Sequence, residues 1–150
     1  MGVTWAKWKE AQTAGWVPKD TSLAGASREQ LALVLRMGVW EVYACPEVAS
    51  GPDLMVFDIG MMSGPKGTAR VIQRAVVACG GSLVLDSQWG PKTKAELVRV
   101  AGAQPKVLVG ALQGQAKTYY KSLPGAAAWL AGWLRRRDDS AGVALTLVEK

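Results

Sequence analysis

The chain has 150 residues, 49% hydrophobic and 20% charged, enough for one compact domain with a real core and unlike a disordered segment. Eighteen Lys and Arg against twelve Asp and Glu leave a formal charge of +6, which favours a polyanionic partner such as nucleic acid or bacterial cell wall. The absence of histidine excludes Ser-His-Asp and Cys-His catalysis and His-containing zinc sites, and two cysteines cannot build a four-thiolate zinc site.

Helical signals dominate from the first residues onward. Thr4 is placed to cap a first helix with Trp5, Trp8 and Ala11 at one-face spacing, ending near Gly15. Ser27-Arg28-Glu29-Gln30 reads as a capping box for a second helix, with Leu31, Val34 and Leu35 as its apolar face. Pro52 then starts a third helix through Leu54–Ile59, too apolar all round for the surface, which should be central and stop at Ser63-Gly64. Pro65 opens a fourth helix running to about Ala78, where Gly80-Gly81 offers a left-handed stop.

The stretch Ser82–Leu85 reads as a short strand or an extended loop. Gly90-Pro91-Lys92-Thr93 turns into a fifth helix carrying Ala95, Leu97 and Val98. A sixth should span Pro105 to Lys121. Pro124 begins a seventh with Trp129 and Trp133 at i, i+4 and Arg135, Arg136 and Arg137 in its last turn, and the tail to Lys150 reads as a final amphipathic helix. The expected architecture is a single all-α domain over residues 1–150, about seven helices with one extended loop or short strand.

No apolar run reaches the roughly 18 residues that span a bilayer. The Met1–Trp5 start lacks the basic-then-apolar pattern of a signal peptide, so the expected place of folding is a cytoplasm. Cys45 and Cys79 are then expected as buried thiols without a disulfide. The sequence implies no metal and no cofactor.

Four segments in order carry a resemblance. They are Gly2-Val3-Thr4 with Val39-Trp40 further on; Val56-Phe57-Asp58-Ile59-Gly60-Met61-Met62-Ser63-Gly64-Pro65; Ile72-Gln73-Arg74-Ala75 with Asp86-Ser87-Gln88-Trp89-Gly90-Pro91-Lys92-Thr93; and Tyr119–Pro124 running into Gly132–Arg136. Together they resemble the phage endolysin and secretion-associated N-acetylmuramidases of glycoside hydrolase family 108. The resemblance implies a lysozyme-like fold, with residues 1–50 the remnant of the catalytic part and 51–150 a peptidoglycan-binding-like part. Three departures stand out. In the family a Glu-Gly-Gly motif ahead of Gly-Val-Thr supplies the catalytic acid, and nothing in this sequence corresponds to it. Where the family tends to read Val-Asn-Ser-Gly, this chain has Met61-Met62-Ser63-Gly64. Where it often has Asp-Gly in the loop, this chain has Asp86-Ser87, so that turn is expected to differ in shape.

Glycoside cleavage needs a carboxylic acid kept protonated by an apolar pocket, usually opposite a second carboxylate. Asp58 is the most notable carboxylate, because it lies in the most apolar helix; its alternative reading is a hydrogen-bonded strut between helices. Glu41 beside Trp40 could face a sugar groove or simply water, and Glu10, Asp20, Glu29 and Glu47 carry no contextual signal. Among the aromatic residues, Trp40 and Trp89 fall at helix ends or loops and suit stacking on sugar faces better than the helical stripe of Trp5, Trp8, Trp129 and Trp133. Ser63 and Tyr119 stand at family positions, though one of the pair Tyr119-Tyr120 must face the core.

The candidate substrate-binding set is therefore Trp40, Glu41, Asp58, Ser63, Trp89 and Tyr119, with no residue assigned to catalysis. The function expected is a peptidoglycan-associated, endolysin-like protein of a phage or prophage, catalytically incomplete. Two alternatives are a virion structural or interaction protein on the same fold and an active muramidase with a relocated carboxylate. The partner is expected to be peptidoglycan or another anionic wall polymer, with other phage or virion proteins as further candidates. Basic residues spread along the chain argue against nucleic acid.

Overall fold

A computed structural model describes residues 3–149; Met1, Gly2 and Lys150 lie outside them, and with Gly2 the first position of the Gly2-Val3-Thr4 segment. The Thr4 hydroxyl accepts the Lys7 N–H at 3.2 Å and starts α1, Trp5–Thr13, as its position predicts. Trp8 and Ala11 are buried, but Trp5 is 58% exposed with the Lys9 ammonium over its ring, so the buried stripe of this short helix is narrower than expected. The Trp8 indole donates to the Thr21 carbonyl at 3.0 Å, and the Gln12 amide donates to the carbonyls of Lys19 and Thr21 at 2.9 Å each. These bonds wrap the following loop around α1. Trp8, Ala11, Val17 and Val34 form a small core of their own.

Ser27 and Gln30 make the reciprocal capping box that opens α2, Arg28–Leu35. α2 loosens into a π-helical turn over Arg36–Trp40, and the chain reverses through Ala44 at φ 54°.

The central element is α3, Pro52–Ala78. The separate helices expected before and after Ser63-Gly64 are two limbs of it. Gly64 alone leaves helical geometry, at φ 63° and ψ 172°, a region essentially restricted to glycine. Pro65 then begins the second limb without the N–H that would bond back along the first. Along α3 lie α5, Pro105–Lys121, then α6, Leu130–Val148, and α4, Pro91–Ala103. Met55, Val56, Ile59, Ile72 and Val76 of α3 are fully buried among Leu97, Leu108 and Leu112. Each contributes about 1.5–3 kcal/mol by leaving water.

The described residues form an all-α fold of six α-helices and no strand. Ser82–Leu85 is a loop whose Val84 is 77% exposed, since a lone extended segment has no neighbour with which to share ladder hydrogen bonds. The C-terminal helices differ from those expected. Pro124 lies in a turn, and the seventh helix and the amphipathic tail are one element, α6. Arg135–Arg137 therefore stand in its first half and complement no helix C-terminus. No glycine or proline stops the chain after them, and their placement is tertiary. Arg136, Arg137 and the Ser140 hydroxyl (2.8 Å) all engage the carboxylate of Asp58 on α3.

Candidate functional site

Three features open a groove at the bend of α3. Gly64 and Pro65 turn the helix there. Gly60 lets the π-helical turn lie directly on it: a Cβ at this position would come within 2.8–2.9 Å of the side chains of Val39 and Tyr43. Lys7 on α1 crosses Gly38, with its ammonium 3.5 Å from the Gly38 carbonyl oxygen and 2.9 Å from the carboxylate of Glu10. The resulting groove holds about 540 Å³, within the range of small-ligand sites. Its floor is apolar, from Leu35, Val39, Val42, Met61 and Met62, and Trp89 closes one end.

Beyond Trp89 and Pro65 a second, more open recess of about 600 Å³ runs past Lys66 to the loop of Asp86, Ser87 and Gln88. That loop is built around Gln73, a buried residue of α3. Its amide N–H groups donate to the Asp86 carboxylate at 2.8 Å and the Gln88 carbonyl at 3.0 Å, while its oxygen accepts the Ser87 N–H at 2.9 Å. Ser87 sits at φ 59°, a left-handed conformation adopted here without the glycine that would suit it. Trp89 is thereby held edge-on to the buried Tyr43, ring centroids 5.3 Å apart.

The electrostatics suit binding better than cleavage. Glu10 is the carboxylate among the groove's lining residues, and it is exposed and paired with Lys7. In the adjoining recess the Gln73 amide, and then the Gln88 N–H, hold Asp86 below the usual carboxylate range. A glycosidic acid needs the opposite shift. Burial pushes the Tyr43 hydroxyl up, so it stays a neutral phenol. Among the described residues, no group of three or more His, Cys, Asp and Glu is placed to hold a metal ion. No helix among them is long and apolar enough to cross a membrane.

No family model matches the sequence, and neither does any curated protein. A solved structure does. The chain shares its fold with Brucella abortus SagA. The TM-score is 0.73, with 20% identity over 93% of this chain and 78% of that one. The likeness concerns the fold alone.

Of the six sequence candidates, the structure brings Trp89 to the groove. Trp40 packs edge-on against Phe57 at 5.6 Å, over a separate shallow depression beside α2. Glu41 is exposed and paired with Arg36 at 3.1 Å. Asp58 is 4% exposed and committed to its two arginines, so the strut geometry is the one observed and its carboxylate is closed to a ligand. The Ser63 hydroxyl lies 3.2 Å from that of Tyr120, at the back of the bend. Tyr119 is directed onto Gly67 and a notch on another face, while Tyr120 takes the core position. Sequence reasoning passed over Lys7 and Glu10. Their i, i+3 spacing places both on one side of α1, and only the packing of α1 over Gly38 turns that side into a groove wall.

Proposed function

We propose that this protein is a lysozyme-like glycan-binding protein of the bacterial cell wall, in which a peptidoglycan strand lies in the groove at the bend of α3 and is not cut. The observation that carries this reading is the groove itself: an apolar floor ending on an indole whose orientation is held by Tyr43 and the Gln73-centred loop. Sugar rings present C–H faces that pack on such a surface. The carboxylates within reach are an exposed ion-paired Glu10 and an Asp86 held ionised, neither of which suits a general acid.

The test is sedimentation with purified peptidoglycan sacculi, with mass spectrometry of anything released. Wild-type protein should sediment with sacculi, and Trp89→Ala should weaken that binding about tenfold, the equivalent of one lost stacking contact. Muropeptides with new reducing muramic acid ends would overturn the non-cleaving reading. Binding that is absent, or indifferent to Trp89→Ala, would remove the groove from consideration. A second reading, a phage structural or interaction protein on this fold, draws on the exposed Val84 (77%) and Leu85 (49%) of the loop after α3. It requires a well-packed contact with another chain through that loop.

A further inference from the structure

The second limb of α3 exposes a ridge of Lys66, Arg70 and Arg74, each four residues from the next and hence stacked along one side of the helix. From Ile59 to Leu85 the chain has no acidic residue, and neither has α5, which packs alongside. Among the described residues, no carboxylate lies within ion-pair distance of Lys66, Arg70 or Arg74. Like charges at this spacing repel one another, and a bound anion relieves that repulsion.

Arg70 and Arg74 flank a notch of about 60 Å³ closed on the α5 side by Gln115, Thr118 and Ser122. The Thr118 and Ser122 hydroxyls already donate to the carbonyls of Gly114 (3.0 Å) and Tyr119 (2.7 Å). The donors left on the lining of the notch are therefore the two guanidinium groups, the Gln115 amide and the Tyr119 hydroxyl, a set that complements a planar anion the size of one carboxylate. At the other end of the ridge, Lys66 borders the recess that continues the groove past Trp89.

We propose that Arg70 and Arg74 form a carboxylate-binding notch that receives the acidic peptide branches of the glycan strand lying in the groove. This rests on the reading of the groove as a glycan site and adds to it a second point of attachment specific for the peptide. A nucleic-acid backbone fits less well. The ridge is only two turns long, the notch admits one small group, and Asp86 stands in the recess beside Lys66 and would repel a run of phosphates.

The experiment compares binding to intact sacculi with binding to glycan strands stripped of their peptides by an amidase and capped at the lactyl carboxylates this frees by carbodiimide coupling to methylamine, for wild type, Arg70→Gln/Arg74→Gln and Trp89→Ala. Both arginines are exposed, and an unchanged thermal midpoint would verify that the double variant is folded. Wild type should bind intact sacculi about tenfold more tightly than stripped glycan, as expected for charge-assisted hydrogen bonds. The double variant should bind both materials equally, at the stripped-glycan level. Equal binding of wild type to both materials would overturn the proposal. So would a double variant weakened on both alike, or a short DNA duplex that competes with sacculi for wild type but not for the double variant. Binding to intact sacculi alone, lost in the double variant and indifferent to Trp89→Ala, would sink the groove reading and leave the notch standing. No binding to either material would sink both.

Discussion

Arg137 on α6 is wholly buried and meets the carboxylate of Asp58, itself 4% exposed, on the first limb of α3. Arg136 shares that carboxylate from the surface side, and the Ser140 hydroxyl completes its acceptors. Burial lowers the Arg137 guanidinium to about 10, which leaves it a cation at neutral pH. Its terminal nitrogen lies 3.7 Å from the sulfur of Met62, and its guanidinium carbon 5.9 Å from the ring centroid of Tyr120. The Asp58–Arg137 pair thus ties α6 to the bend of α3, just behind the groove floor.

Removing one partner of a buried pair strands the other charge in a medium that cannot solvate it. Asp58→Ala should therefore cost about 3–5 kcal/mol in urea unfolding. The folded fraction should still bind sacculi. A variant of unchanged stability with abolished binding would instead return Asp58 to the ligand site.

Gly64 occupies a backbone region that a Cβ makes costly, and its bend sets the positions of Met61, Met62 and Pro65 along the groove. Gly64→Ala is expected to lose about 1–3 kcal/mol of stability. Sacculus binding should weaken as well, because straightening the helix displaces the floor. Wild-type stability in this variant would mean that the bend is not imposed at this residue.

At Ser87 the sign is reversed. A serine held at φ 59° pays a steric cost that glycine does not, whereas glycine adds entropy to the unfolded chain. Ser87→Gly should raise stability by up to about 1 kcal/mol while the Gln73–Asp86 contacts persist. A loss of stability on this change would show that the loop draws no strain from Ser87.

Glu96 on α4 carries the pH dependence that is simplest to isolate. The Arg99 guanidinium grips its carboxylate, and the Ser82 N–H adds a bond at 3.1 Å, lowering it from 4.5 to about 2. A carboxyl group with a depressed folded-state value binds fewer protons folded than unfolded. Its contribution is therefore complete above about 4.5 and lost as the pH falls towards 2. Unfolding free energies measured across that window should fall less steeply for Glu96→Gln than for wild type. Parallel slopes would exclude Glu96 as a source of the acid sensitivity.

Much of the helical framework was legible because it is local. The Thr4 cap, the Ser27–Gln30 box and the prolines at positions 52, 91 and 105 each act within one turn and mark a helix start on their own. Gly64-Pro65 marked a break equally well, but whether the limbs separate or remain one bent helix depends on what packs against them. α6 was misread for a related reason. The run Arg135–Arg137 looks like a solvated helix end until Asp58, 79 residues before Arg137, supplies a buried partner.

Sequence alone determined the all-helical class, the central place of the apolar stretch around Met55–Ile59 and the exclusion of histidine-based chemistry, since residue type and spacing along one element decide each of these. Only the tertiary structure decided which polar and aromatic residues face the groove. It sent Trp40 against Phe57 and Asp58 into an ion pair, brought Trp89 beside Tyr43, and drew Lys7, paired with Glu10, over Gly38. Those outcomes depend on contacts between segments far apart in the chain, where shape and charge complementarity between helices outweigh the preferences of any single stretch.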